Sequence, residues 1–160
     1  MTRLLAPARH LTGLTDLALL VARVAVGVVL FAHGWQKAYE FTPAGTAGAF
    51  GEMGVPAAGL VAWYTMLAEI IGGAALVLGV LTPVFALLNL LSMVGAFFLV
   101  HLANGVFVTA NGYELVLSIA AALVAVAAFG AGRWSVDGFV LRAGERTGAT
   151  TGSEERVLVG

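Results

Sequence analysis

The sequence contains no cysteine. That excludes disulfides, thiolate-bound iron–sulfur clusters, covalently attached c-type haem and a cysteine nucleophile on this chain. Any thiol chemistry it serves must use a thiol on another molecule. Charge is almost as scarce: 11% of the 160 residues are Asp, Glu, Lys or Arg, against about 25% in soluble domains. A net charge of −1 offers no handle for nucleic acid or an acidic substrate. The few charges crowd into residues 1–16, the stretch from Lys37 to Glu52 and the tail after Gly132.

What is present is apolar. Hydrophobic residues make up 60% of the chain, and they fall into runs long enough to cross a hydrocarbon core about 30 Å thick. Arg3 and Arg9 precede the first run as they would in a signal peptide. However, Leu17 to Ala32 covers about 24 Å as a helix and is interrupted by Arg23, so it reads as a retained first span. Thr15 or Asp16 is placed to cap it.

Four spans are predicted, at about 17–37, 57–81, 84–102 and 113–129. Residues Ala38 to Val55 read as a glycine-rich loop, with Phe41, Phe50 and Met53 available to dip into the interface or pack back on the bundle. Pro56 opens the second span, as proline does in a first helical turn. Gly72, Gly73 and Gly79 give that span a small-residue surface for close packing. Thr82-Pro83 ends it, and a connection this short predicts an antiparallel hairpin with the third span. The expected fold is an all-α integral membrane four-helix bundle. It comprises a basic N-terminus (1–16), a membrane domain (17–137) and a flexible tail (138–160). Arginines at both ends put both termini in the cytoplasm by the positive-inside rule.

Two groups of polar residues interrupt the apolar region. An arginine at the bilayer centre costs about 2.5–3.5 kcal/mol on insertion scales, so Arg23 calls for a partner. It stands roughly 9 Å above the cytoplasmic end of the first span. Glu69 lies near the middle of the second, which makes an Arg23–Glu69 ion pair the expected match. Either that pair fixes helix register or it serves a relay or a ligand.

The second group lies at the outer end. His33, Gln36 and Lys37 stand at i, i+3 and i+4 and share one helix face. His101 and Asn104 close the third span, and Glu114 opens the fourth. Lys37 has Glu114 as its expected mate. Several readings of this cluster stay open. A b-type haem would have only two histidine ligands. No metal is expected, because the histidines lack a ligand-spacing motif. A quinone headgroup held by His and Gln at the interface is a third reading. A polar lid with Trp35 and Tyr39 in the aromatic belt is the bland alternative.

The series ARVAVGVVLFAHGWQK, EIIGGAALVLGVLTP, GAFFLVHLANGVF, GYELVLSIAAALVAV and GRWSVD resembles the DoxX family of small bacterial membrane proteins, from Leu17 to Asp137. The resemblance implies a multi-pass protein of the bacterial cytoplasmic membrane. It also implies a link to oxidoreductase complexes with quinone-linked thiosulfate, thiol or oxidative-stress chemistry, in which a superoxide dismutase or sulfurtransferase is a soluble partner. By position, the family's recurring polar residues fall on Arg23, His33, Lys37, Glu69, His101, Asn104 and Glu114. The expected function is therefore a membrane subunit, not catalytic alone, with a polar site near the outer face. The alternatives are a scaffold that recruits soluble redox enzymes, and a small-solute carrier assembled by oligomerisation through Gly72-Gly73 or Gly27.

Overall fold

The computed structural model describes residues 12–144 of the protein. Helix α1 runs Thr12–Trp35 and continues through a π-helical turn, Gln36–Glu40. Helix α2, Pro43–Glu52, is short. Helix α3 is Ala58–Leu78. Helix α4, Thr82–Ala96, extends through a second π turn, Phe97–His101, and a 3-10 turn, Leu102–Asn104. Helix α5 is Glu114–Phe129, and α6 covers 136–144. Among the described residues there is no strand. The helices α1, α3 and α4 with their extensions are long and apolar enough to cross a membrane. Helix α5, with 16 residues, rises about 24 Å and covers most of a hydrocarbon core. Arg3, Arg9 and His10 of the basic N-terminus, and residues 145–160 of the tail, lie outside the described residues.

The four long helices form a ring in which α1 packs on α3, α3 on α4, α4 on α5 and α5 back on α1. Leu30, Leu76, Ala86, Leu123 and Val126 fill its centre. Their outward-facing neighbours, such as Leu60, Leu87, Val124 and Phe129, are exposed, as lipid-facing side chains should be. Glycine sets the α1–α3 spacing. A Cβ on Gly73 would stand 2.6 Å from the Phe31 nitrogen, and one on Gly34 would stand 2.8 Å from the Ile70 nitrogen. Gly72 faces the other way, with room beside it only for the Asn89 amide. These small residues are therefore used within the chain, for close backbone approach.

Two parts of the sequence reading need correction here. The stretch expected as a loop contains α2. Its start is marked by Thr42, whose hydroxyl accepts from the Gly45 amide at 3.2 Å, and by Pro43. Asp16 is not a cap, because α1 has already begun at Thr12. Its carboxylate instead accepts from the Arg133 amide at 2.9 Å.

One end of the bundle is knotted by residues 131–137. Asp137 accepts from the amides of Leu81 (2.8 Å) and Thr82 (2.9 Å), the free donors at the start of α4. The Asp137 amide donates to the Gly79 carbonyl at 2.9 Å. Gly79 has φ +71°, and a Cβ there would collide with that of Ser135. Only glycine fits both demands.

Candidate functional site

Arg23 is the most buried charge in the bundle, with 2% of its surface exposed. Its partner is not Glu69. Its guanidinium donates to the carbonyls of Ala131 (3.1 Å), Leu76 (2.8 Å) and Val77 (2.5 Å), and to that of Trp134. Leu76 and Val77 are in the last turn of α3, at the negative end of its dipole, and the Leu76 carbonyl also accepts from the Gly79 amide at 3.2 Å. Arg23 is therefore matched by helix-end and loop carbonyls, and it ties α1 to α3 and to the segment after α5.

Glu69 has a different mate. Lys37, the chain's single lysine, meets its carboxylate at 2.5 Å, with Lys37 at 18% side-chain exposure and Glu69 at 4%. The pair forms because Gly34, one turn before Lys37, lets α1 lie against the Glu69 Cβ, where an added Cβ would be 2.9 Å away. The π turn Gln36–Glu40 then carries the lysine over α3.

This ion pair borders a cavity of about 610 Å³ inside the half of the bundle away from Arg23. All four long helices contribute to it, with Phe50, Met53 and Val55 of α2 and the turn after it as a cover. Its walls are mostly apolar, including Val29, Leu30, Met93, Val116 and Ile119. Polar side chains enter at Lys37, Glu69, His33, His101, Tyr64, Thr65 and Ser92. Size and lining suit a small amphiphilic ligand.

The histidines are oriented by backbone. The Val29 carbonyl lies 2.9 Å from His33 Nδ1, and the Asn111 carbonyl lies 2.8 Å from His101 Nδ1. A carbonyl only accepts, so each Nδ1 carries a proton, which leaves Nε2 as the atom turned to other partners. Ser92 differs from both. Its hydroxyl is buried and finds no partner in the protein, although the residue lines the cavity. Such an orphan is unusual among buried polar groups.

The remaining expected residues frame the cavity without lining it. Glu114 does not pair with Lys37. Its carboxylate accepts from the Val108 amide at 2.6 Å and closes the loop between α4 and α5. Asn104 donates to the carbonyls of Val100 (2.9 Å) and Asn111 (3.3 Å). Gln36 donates to Glu40 at 3.1 Å along its own turn. Among the described residues, no three His, Asp or Glu side chains converge as a metal site would need.

Sequence reasoning missed Ser92, Tyr64 and Thr65, which look like ordinary hydroxyls of a membrane helix. It also missed the two π turns, each of which delivers a cavity residue, Lys37 in one and His101 in the other. Such turns are frequent at functional sites, but no sequence pattern here marks them.

Comparison with known proteins agrees with this architecture. The chain is 33% identical over 125 residues to the uncharacterized membrane protein Rv3486 of Mycobacterium tuberculosis, covering 72% of this chain and 76% of that one. No solved structure matches it. The DoxX family profile matches residues 18–102, which carry Arg23, the Lys37–Glu69 pair and both histidines of the cavity, and the chain belongs to the DoxX family.

Proposed function

We propose that this protein is the membrane subunit of an oxidoreductase complex and binds the ring of a lipid-soluble quinone in the cavity. The observation that carries the reading is one apolar chamber of about 610 Å³ with an ion pair, two oriented histidines and an unpartnered serine in its wall. Quinone oxygens accept hydrogen bonds. Lys37 has three donors, of which Glu69 takes one, and the Ser92 hydroxyl is unused. The Nε2 atoms of His33 and His101, when the rings are neutral, are acceptors suited to the hydroxyls of the reduced ring. A soluble partner supplies the other half of the redox reaction, since the chain has no cysteine and no soluble domain among its described residues.

Gentle extraction followed by mass spectrometry of the organic extract should recover quinone with the protein. Added menadione, the bare naphthoquinone ring, should compete for the same cavity. Absence of bound quinone together with no binding of menadione would reject the reading.

In the same proposal the Arg23 end faces the cytoplasm of a bacterial cell, as the positive-inside rule implies for a sequence with arginines near both ends. The cysteine-free sequence makes this easy to test. A Thr147→Cys variant should resist a membrane-impermeant maleimide in intact spheroplasts and react after lysis. Labelling before lysis would reverse the orientation.

A further inference from the structure

We propose that the ligand's apolar tail leaves the cavity sideways into the bilayer, through an opening between α3 and α4 bounded by Val61, Leu91, Gly95 and Leu99. The inference rests on the quinone reading and adds to it a route and a requirement for a long hydrophobic chain.

Leu91, Gly95 and Leu99 stand at i, i+4 and i+8, one stripe of α4 and its π turn. All three line the cavity, as does Val61 across from them on α3. The same stripe also faces outward: Leu91 is 62% exposed and Leu99 49%. A side chain added at Gly95 would meet no atom within 4 Å. Residues that belong to both an internal chamber and an outer surface mark where the two connect. In a membrane-spanning helix, that outer surface is hydrocarbon.

The other seams are closed or unsuited. Toward the Arg23 end, α3 and α4 are shut by the Tyr64 hydroxyl on the Leu88 carbonyl (2.6 Å) and the Asn89 amide on the Ala68 carbonyl (3.0 Å). Gly34 against Ile70 seals α1 to α3. The Phe97 and Tyr113 rings, 5.2 Å apart, seal α4 to α5. The gap between α1 and α5 has the polar ring of exposed His33 on its rim, which an alkyl chain would have to desolvate. The α3–α4 opening is apolar except at Tyr64, whose hydroxyl is already spent on the Leu88 carbonyl. A polar ring held near Lys37 with a chain trailing past Gly95 therefore matches the chamber at both ends, whereas a water-borne solute would find only hydrocarbon at this door.

The test uses the full chain in lipid nanodiscs, with menadione and with a naphthoquinone bearing a long isoprenoid tail. Gly95→Phe should weaken the tailed quinone about tenfold more than it weakens menadione, the equivalent of roughly 1.4 kcal/mol. Leu91→Trp, an independent plug, should repeat the pattern. If both variants bind the tailed quinone as wild type does, the opening is elsewhere and the quinone reading stands. The opening is also elsewhere if Leu115→Trp, on the α1–α5 side, is the variant that blocks the tailed molecule. If wild type binds neither molecule, the quinone reading itself fails and takes this inference with it.

Discussion

Arg23→Met is expected to lower the thermal midpoint of the detergent-solubilised protein by roughly 6–12 °C, the shift that about 3 kcal/mol produces in a chain of this size. The arginine serves four carbonyls: two at the end of α3 and two after α5. Methionine fills similar space and serves none of them. Bonds to a charged donor contribute about 1.5–3 kcal/mol each, and a buried acceptor without a partner costs a further penalty. The loss is tempered because methionine also removes the desolvation cost of a buried charge. Arg23→Lys should fall between the two, since an ammonium offers three donors from one point where the guanidinium reaches four carbonyls in a plane. The double variant Arg23→Met/Glu69→Gln should show additive losses, with coupling within about 0.5 kcal/mol, as expected for sites without shared partners. A large coupling energy would restore the Arg23–Glu69 pair that the geometry replaces. An Arg23→Met protein as stable as wild type would instead mean that the carbonyl knot contributes nothing.

That replaced pair shows what a sequence can and cannot disclose here. The membrane spans are legible because hydropathy is a property of the residues themselves, and so is the hairpin at Thr82-Pro83. Pro56 does not open α3 as expected: it lies in the turn ahead of the Ala57 cap, and the first-turn prolines are Pro43 of α2 and Pro83 of α4. Partners are harder to read. Arg23 calls for a negative charge, and among the residue types of the neighbouring span that points to Glu69. The negative charge it uses is the partial charge on carbonyls at the end of α3, which every helix carries and no residue type announces. The register of α1 against α3 is equally hidden. Gly34 packs on Ile70, so Glu69 sits level with the far end of α1. Taking each span to begin at the same depth places it in mid-bundle instead. Helix α2 is concealed by its glycines, whose low helix propensity outweighs the start signal at Thr42-Pro43. Of the outer cluster, His33, Lys37 and His101 do line the cavity, while Glu114 and Asn104 hold its loop. Their side chains look alike in sequence, and only the backbone path of residues 105–112 separates the two duties.

Lys37→Met and Glu69→Leu should each destabilise the protein by about 3–5 kcal/mol, because each leaves one buried charge without its mate. The double variant should recover most of that loss, since it removes both charges and both desolvation costs together. A thermal-melt cycle over the four proteins then measures the coupling directly. The recovered double variant is also the right protein for asking what the pair is for. It keeps the apolar chamber, the histidines and Ser92, and lacks only the ion pair. Under the quinone reading, menadione should bind it at least about tenfold more weakly, since the ring loses a charge-assisted donor worth roughly 1.5–3 kcal/mol. Full recovery of stability with undiminished menadione binding would make Lys37–Glu69 a register pin between α1 and α3, leaving Ser92 and the histidines to hold the ring. A double variant as unstable as the singles would sink the pairing itself. Two groups that stabilise one another cannot cost as much when both are removed as when one is stranded, unless the space between α1 and α3 collapses without them.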